Sequence, residues 1–183
     1  MLTIHGMGDS GNCYKPRLLM ALLGRPFRHV EVSTLDGGTR QPAFLAANPN
    51  GKVPLLELED GRTLPESNAI LCYLGDGTRF VPDDRFARAE MLGWMFFEQY
   101  SHEPQIAVRR SLLVYPQMRE AATPQRLADT LAGGHKALAV MEQRLSGAQW
   151  LVGDAPSLAD IALYAYTHRA GEGGFELTDY PVI

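Results

Sequence analysis

The sequence predicts a chain in two parts: an α/β N-terminal part in the order βαβ, helix, ββ, α, and an all-helical C-terminal part. Three observations predict it. A short apolar run, Leu2-Thr3-Ile4-His5, passes through glycines into a helical pattern at Leu18, Leu19, Leu22 and Leu23, and a second strand pattern follows. Val53 to Leu58 then meets Arg62 to Leu64 through Asp60-Gly61, a strong hairpin signal that turns the sheet antiparallel. Beyond a linker marked by Gly75-Asp76-Gly77-Thr78 and Pro82-Asp83-Asp84, apolar residues recur at helical spacing. The parts span residues 1–75 and 86–183.

The turn after the first strand, Gly8-Asp9-Ser10-Gly11-Asn12-Cys13, organises the first part. A glycine turn at a helix start leaves backbone N–H groups unpaired at the positive end of the dipole, where an anion settles, and Ser10 is placed to touch it. Two readings compete. Gly6-Met7-Gly8-Asp9-Ser10-Gly11 matches the dinucleotide pattern G-x-G-x-x-G, with Glu31 where a ribose-binding acid belongs. Alternatively, Ser10-Gly11-Asn12-Cys13 is an S-x-x-C where a thioredoxin-like motif carries C-x-x-C.

The first helix is expected over Cys13–Leu23, with Asn12 as N-cap, Pro16 in the first turn and Gly24 just past the end. Phe27 to Val32 reads as a strand parallel to the first. Gly37-Gly38 breaks the pattern, and residues 41–47 form a short helix ending at Asn48-Pro49. The hairpin that follows removes the dinucleotide reading, because a doubly wound fold would continue with further βα units. Pro54 at the head of a strand suggests a cis Val53-Pro54 bond. Glu66 to Leu74 begins a helix at a polar cap.

In the second part, residues 86–114 carry Met91, Leu92, Trp94, Met95, Phe96 and Phe97, too crowded for one stripe. Such a helix buries more than one face, its own core and a pocket or subunit interface. The aromatic cluster is expected mainly in the core. Thr123-Pro124 opens a helix through Leu145, and residues 157–168 form another, ended by Gly171 to Gly174. Asp179-Tyr180-Pro181-Val182-Ile183 reads as the start of a further helix, so a truncated C-terminus is expected.

Composition excludes several classes. The net charge of −4 without a basic block argues against nucleic acid or an anionic membrane as partner. The first residues lack the basic and apolar regions of a signal peptide, and no stretch is long enough to span a bilayer. Two cysteines, Cys13 and Cys72, make no disulfide scaffold, and a cytoplasmic setting is expected. Cys13 reads as an inert first-turn thiol and Cys72 as core. His5, His29, His102, His135 and His168 show no metal-ligand spacing, so no metal is assigned.

Asn48-Pro49-Asn50-Gly51-Lys52-Val53-Pro54-Leu55-Leu56 resembles the N-P-x-G-K-V-P-x-L segment of the glutathione transferase family, and Glu66-Ser67-Asn68-Ala69-Ile70 its E-S-x-A-I segment. Ser157-Leu158-Ala159-Asp160 resembles its capping box. The resemblance covers essentially the whole chain. It implies a thioredoxin-like glutathione-binding domain, a helical domain that forms the substrate pocket, and a homodimer that sets one chain's N-terminal domain beside the other's helical domain. Gly6-Met7-Gly8 offers no tyrosine at the end of strand one, so the bacterial, serine-type active site is favoured.

By the same resemblance, Glu66 and Ser67 grip the γ-glutamyl end of glutathione, the Val53 backbone pairs with its cysteinyl part, and Lys52 with Gln41 meets its glycyl carboxylate. Ser10, assisted by Asn12, holds the sulfur as thiolate. Lowering a thiol pKa by about two units takes ~2.7 kcal/mol. A hydroxyl hydrogen bond to a charged partner supplies ~1.5–3 kcal/mol and a helix N-terminus ~0.3–1. The expected function is conjugation of that thiolate to a small hydrophobic electrophile. The alternatives are a glutathione-dependent disulfide reductase or peroxidase, and a non-catalytic glutathione-binding module. Without a ligand, Ser10 is a helix cap, Glu66 and Ser67 cap their helix, and Lys52 is a solvated side chain.

Overall fold

The computed structural model describes every residue, Met1–Ile183, and divides into two compact units, Met1–Thr78 and Arg79–Ile183. The first holds β1 (Thr3–Gly6), α1 (Gly11–Leu22), β2 (Arg28–Glu31), α2 (Pro42–Ala47), β3 (Leu55–Glu57), β4 (Thr63–Pro65) and α3 (Ser67–Gly75). The sheet order is β2-β1-β3-β4. β1 pairs parallel with β2 and antiparallel with β3, which pairs antiparallel with β4. This is the thioredoxin-like order expected, and the Val53-Pro54 bond is cis. Ile4, Leu19, Leu56, Ile70 and Leu71 are fully buried and form the core between sheet and helices.

The start of α1 differs from expectation. Ser10, in extended conformation, is the N-cap, and its Oγ accepts the Cys13 N–H at 3.4 Å. Asn12 lies inside the helix because its side chain is engaged elsewhere, and Pro16 falls in the second turn. Gly24 follows the helix at φ +63, as a C-terminal glycine should.

The second unit holds α4 (Arg85–Phe97), α5 (Glu103–Val114), α6 (Pro124–Leu145) and α7 (Leu158–Thr167). α4 and α5 are one helical run interrupted by a wide turn at Glu98–His102, where the Glu103 N–H reaches back five residues to the Glu98 carbonyl. Pro104, which cannot donate, follows immediately. Of the crowded cluster, only Met91 and Met95 are buried, while Phe96 is 70 % exposed. The expectation that the aromatics lie mainly in the core is corrected: Trp94 and Phe97 meet edge to face at 5.3 Å, half-buried, and the outer face stays uncovered within the chain.

α7 is the core helix. Its capping box is closed, with Asp160 Oδ2 accepting the Ser157 N–H at 2.7 Å and Oδ1 accepting the Leu151 N–H at 2.9 Å. Phe175 packs with Ile106, Ala107, Leu138 and Tyr166 directly against Gly134, where any side chain would collide with its ring. The last residues form a single turn at Leu177–Asp179 and no longer helix. No helix is long and apolar enough to cross a membrane.

Candidate functional site

Strand register gathers the candidate residues at one end of the sheet. His5 is paired with Leu55, and Leu55 with Pro65. The chain leaving β1 toward Ser10, the chain entering β3 from Val53 and the chain leaving β4 at Glu66 therefore lie side by side.

The turn after β1 is held from both sides. The Gly8 N–H donates to both carboxylate oxygens of Glu31 at 3.0 Å, and the Gly8 carbonyl accepts from Arg17 Nη2 at 2.6 Å. The anion at this peptide is thus the protein's own carboxylate, in agreement with the removal of the dinucleotide reading, which gives Glu31 to a ribose. The His29 hydrogen bond, with the Gly8 N–H and Arg17, holds the Glu31 carboxyl below its usual range.

Cys13, just inside α1, is fully buried. Burial pushes its thiol up, and the Ser10 hydroxyl pulls the other way without prevailing. Its place at a helix N-terminus does not make it reactive. Cys72 is only half-buried, and burial raises its thiol too.

Asn12 and Ser67 meet where α1 and α3 begin. The Ser67 hydroxyl donates to Asn12 Oδ1 at 3.2 Å and accepts from Lys15 Nζ at 3.2 Å, while Lys15 also donates to Asn68 Oδ1 at 3.3 Å. Ser67 is buried, whereas Glu66 beside it is exposed. Glu66 has φ +70, the one non-glycine residue in the left-handed region. Such a conformation costs about 1–3 kcal/mol and clusters at functional positions.

The segment before β3 is held by Asn48. Its Nδ2 donates to the Lys52 carbonyl at 2.8 Å, and its Oδ1 accepts the Asn50 N–H at 3.2 Å. Gly51 has φ +62, and a Cβ there would meet Arg40 Nη1 at 2.5 Å. The Arg40-Gln41 corner therefore lies against this loop, with the Lys52 and Gln41 side chains exposed and Val53 half-buried outside the strand ladder.

The sequence-predicted residues thus form two groups: Ser10, Asn12, Glu66 and Ser67 at the two helix starts, and Gln41, Lys52 and Val53 at the loop. Sequence reasoning missed Lys15 and Arg40, and gave Asn48, within the N-P-x-G-K-V-P-x-L segment, no role of its own. A lysine or arginine is ordinarily read as solvated, and nothing local marks Lys15 as buried. Asn48 was the findable one, since an asparagine before Pro and Gly is a turn-former.

Known proteins resemble this chain throughout. Residues 9–76 match the family model "Glutathione S-transferase, N-terminal domain", and residues 124–181 match "Glutathione S-transferase, C-terminal domain". A maleylacetoacetate isomerase of Pseudomonas aeruginosa is 32 % identical, covering 95 % of this chain and 84 % of its own. A disulfide-bond oxidoreductase of Escherichia coli is 28 % identical over 94 % of this chain and 82 % of its own. The crystal structure of a glutathione S-transferase from Pseudomonas fluorescens superposes with a TM-score of 0.95 at 52 % identity, covering 98 % of this chain and 89 % of that one. A glutathione transferase from Burkholderia graminis, with two glutathione molecules bound per subunit, superposes at 0.84 and 27 % identity, covering 98 % and 79 %.

Proposed function

The chain belongs to the glutathione S-transferase family, and we propose that it binds glutathione at this sheet end, holds its sulfur as thiolate and conjugates it to a small hydrophobic electrophile. The observation that carries the proposal is the position of Ser10. As N-cap its Oγ accepts the Cys13 N–H, and its hydroxyl hydrogen, which is directed at the Cys13 thiol in the free protein, turns to an incoming sulfur at the positive end of α1. Together these terms match the ~2.7 kcal/mol that a two-unit drop in thiol pKa requires. Asn12, tied to Ser67, supports the same turn.

Glu66 and Ser67 take the γ-glutamyl end, the Val53 backbone takes the cysteinyl part, and Lys52 with Gln41 takes the glycyl carboxylate. Support comes from the shared sheet end and from the Burkholderia graminis relative, whose structure holds glutathione.

A second reading is glutathione-dependent disulfide reduction, which uses the same thiolate. It is favoured by the Escherichia coli oxidoreductase and by the two glutathione molecules bound in the Burkholderia graminis structure. Retention on a glutathione column, with conjugation and disulfide-reduction assays on the same sample, separates the two. The proposed assembly is a homodimer, supported by the solvent-facing Phe86, Phe96 and Tyr100. The proposed setting is the cytoplasm, which agrees with two free thiols.

A further inference from the structure

Lys15 is completely buried, although an ammonium is among the costliest groups to withdraw from water. It sits at an adverse place as well. Its Nζ donates to Ser67 Oγ and Asn68 Oδ1, the first two residues of α3, where the helix dipole is positive and repels a cation. Ser67 in turn touches Asn12, in the first turn of α1, whose dipole directs further positive potential at the same point. Two helix starts and a buried ammonium therefore converge on one hydroxyl, and an anion beside that hydroxyl is attracted by all three.

Resting on the reading that the γ-glutamyl end of glutathione lies at Glu66 and Ser67, we propose that Lys15 is the positioning residue that makes this end selective for a carboxylate. By donating to Ser67 Oγ, Lys15 occupies an acceptor position of that oxygen and turns the hydroxyl hydrogen outward. In the free protein that hydrogen goes to Asn12 Oδ1. When the ligand arrives it passes to the α-carboxylate, while the Lys15 bond is kept. The ammonium then stands one hydroxyl away from the carboxylate, in surroundings dry enough for the attraction to be felt. Glu66, exposed beside it, is left to meet the α-ammonium.

The test compares two ligands by calorimetry: glutathione, and 4-aminobutanoyl-cysteinyl-glycine, which lacks only the α-carboxylate. The wild-type protein should prefer glutathione by about tenfold or more. Lys15→Met should lose about that factor for glutathione and little for the analogue, and Lys15→Arg, which keeps the charge, should retain the preference. Melting temperatures identify variants that fail to fold. Equal losses for both ligands in Lys15→Met would reduce Lys15 to a packing residue. A wild-type protein that binds glutathione but discriminates between the ligands less than about twofold would overturn the proposal without any variant. A wild-type protein that binds neither ligand would overturn the reading of the site itself.

Discussion

The Ser67 hydroxyl donates to Oδ1 of Asn12 at 3.2 Å, tying together two helix starts that lie 55 residues apart in the chain. This contact explains why Asn12 does not cap α1. Its side chain is committed across to α3, and Ser10 takes the cap.

Ser67→Ala should weaken glutathione binding by about 1–3 kcal/mol, the cost of leaving a buried polar or charged group without its partner. Calorimetry measures it. Unchanged affinity would move the γ-glutamyl end away from α3.

Glu31 holds the Gly8 peptide, and its carboxyl titrates below the usual range, chiefly through His29 and with help from the Gly8 N–H. A depressed pKa gives stability that is present above the unfolded value and is lost as pH falls through the folded value. The unfolding free energies of wild type and Glu31→Gln should therefore differ at neutral pH and converge in acid. Because Glu31 is largely exposed, the difference should stay within about 1 kcal/mol. A gap that widens on acidification would contradict the assignment.

In the helical unit, the Asp160 carboxylate accepts three bonds, from Leu151 N–H, Ser157 N–H and the Ser157 hydroxyl, and so ties the preceding loop to the cap, whereas the Ser157 oxygen accepts only within the first turn of α7, from the Ala159 and Asp160 N–H groups. Asp160→Ala should therefore destabilise more than Ser157→Ala, for which about 0.5–2 kcal/mol is expected. Chemical denaturation of the two variants gives the order directly.

Phe86 is 72 % exposed, Phe96 70 % and Tyr100 87 %, three large aromatic side chains that the chain itself leaves uncovered. Light scattering at micromolar concentration should report a dimer, and Phe96→Asp should shift it toward monomer. A wild-type chain that stays monomeric would leave these side chains without the proposed role.

How far the sequence could be read follows from the range of the forces involved. The hairpin at Asp60-Gly61, the cis bond before Pro54 and the Ser157-Asp160 box are fixed within a few residues, and each stands as expected. The cap of α1 was misplaced by two residues, because the rival partner of Asn12 lies on α3 and leaves no local trace. Lys15 was passed over for the same reason: its burial is decided by the packing of α1 on α3. The aromatic cluster at 94–97 was legible in composition but not in placement, since hydrophobicity alone does not say whether a face meets the chain's own core or solvent.

The central claim is that the Ser10 hydroxyl stabilises the bound thiolate, and ultraviolet titration of enzyme-bound glutathione in wild type and Ser10→Ala tests it most directly. Removing the cap should itself cost about 1 kcal/mol of stability, which a melting curve registers separately. The account predicts that the apparent pKa of bound glutathione rises by about one unit or more in the variant, each unit being about 1.36 kcal/mol of lost preference for the anion. Affinity for glutathione should change far less, and conjugation at neutral pH should fall about tenfold and partly recover as pH rises. An unmoved pKa would contradict the account, leaving Ser10 a helix cap and moving the search for the activating group to Asn12.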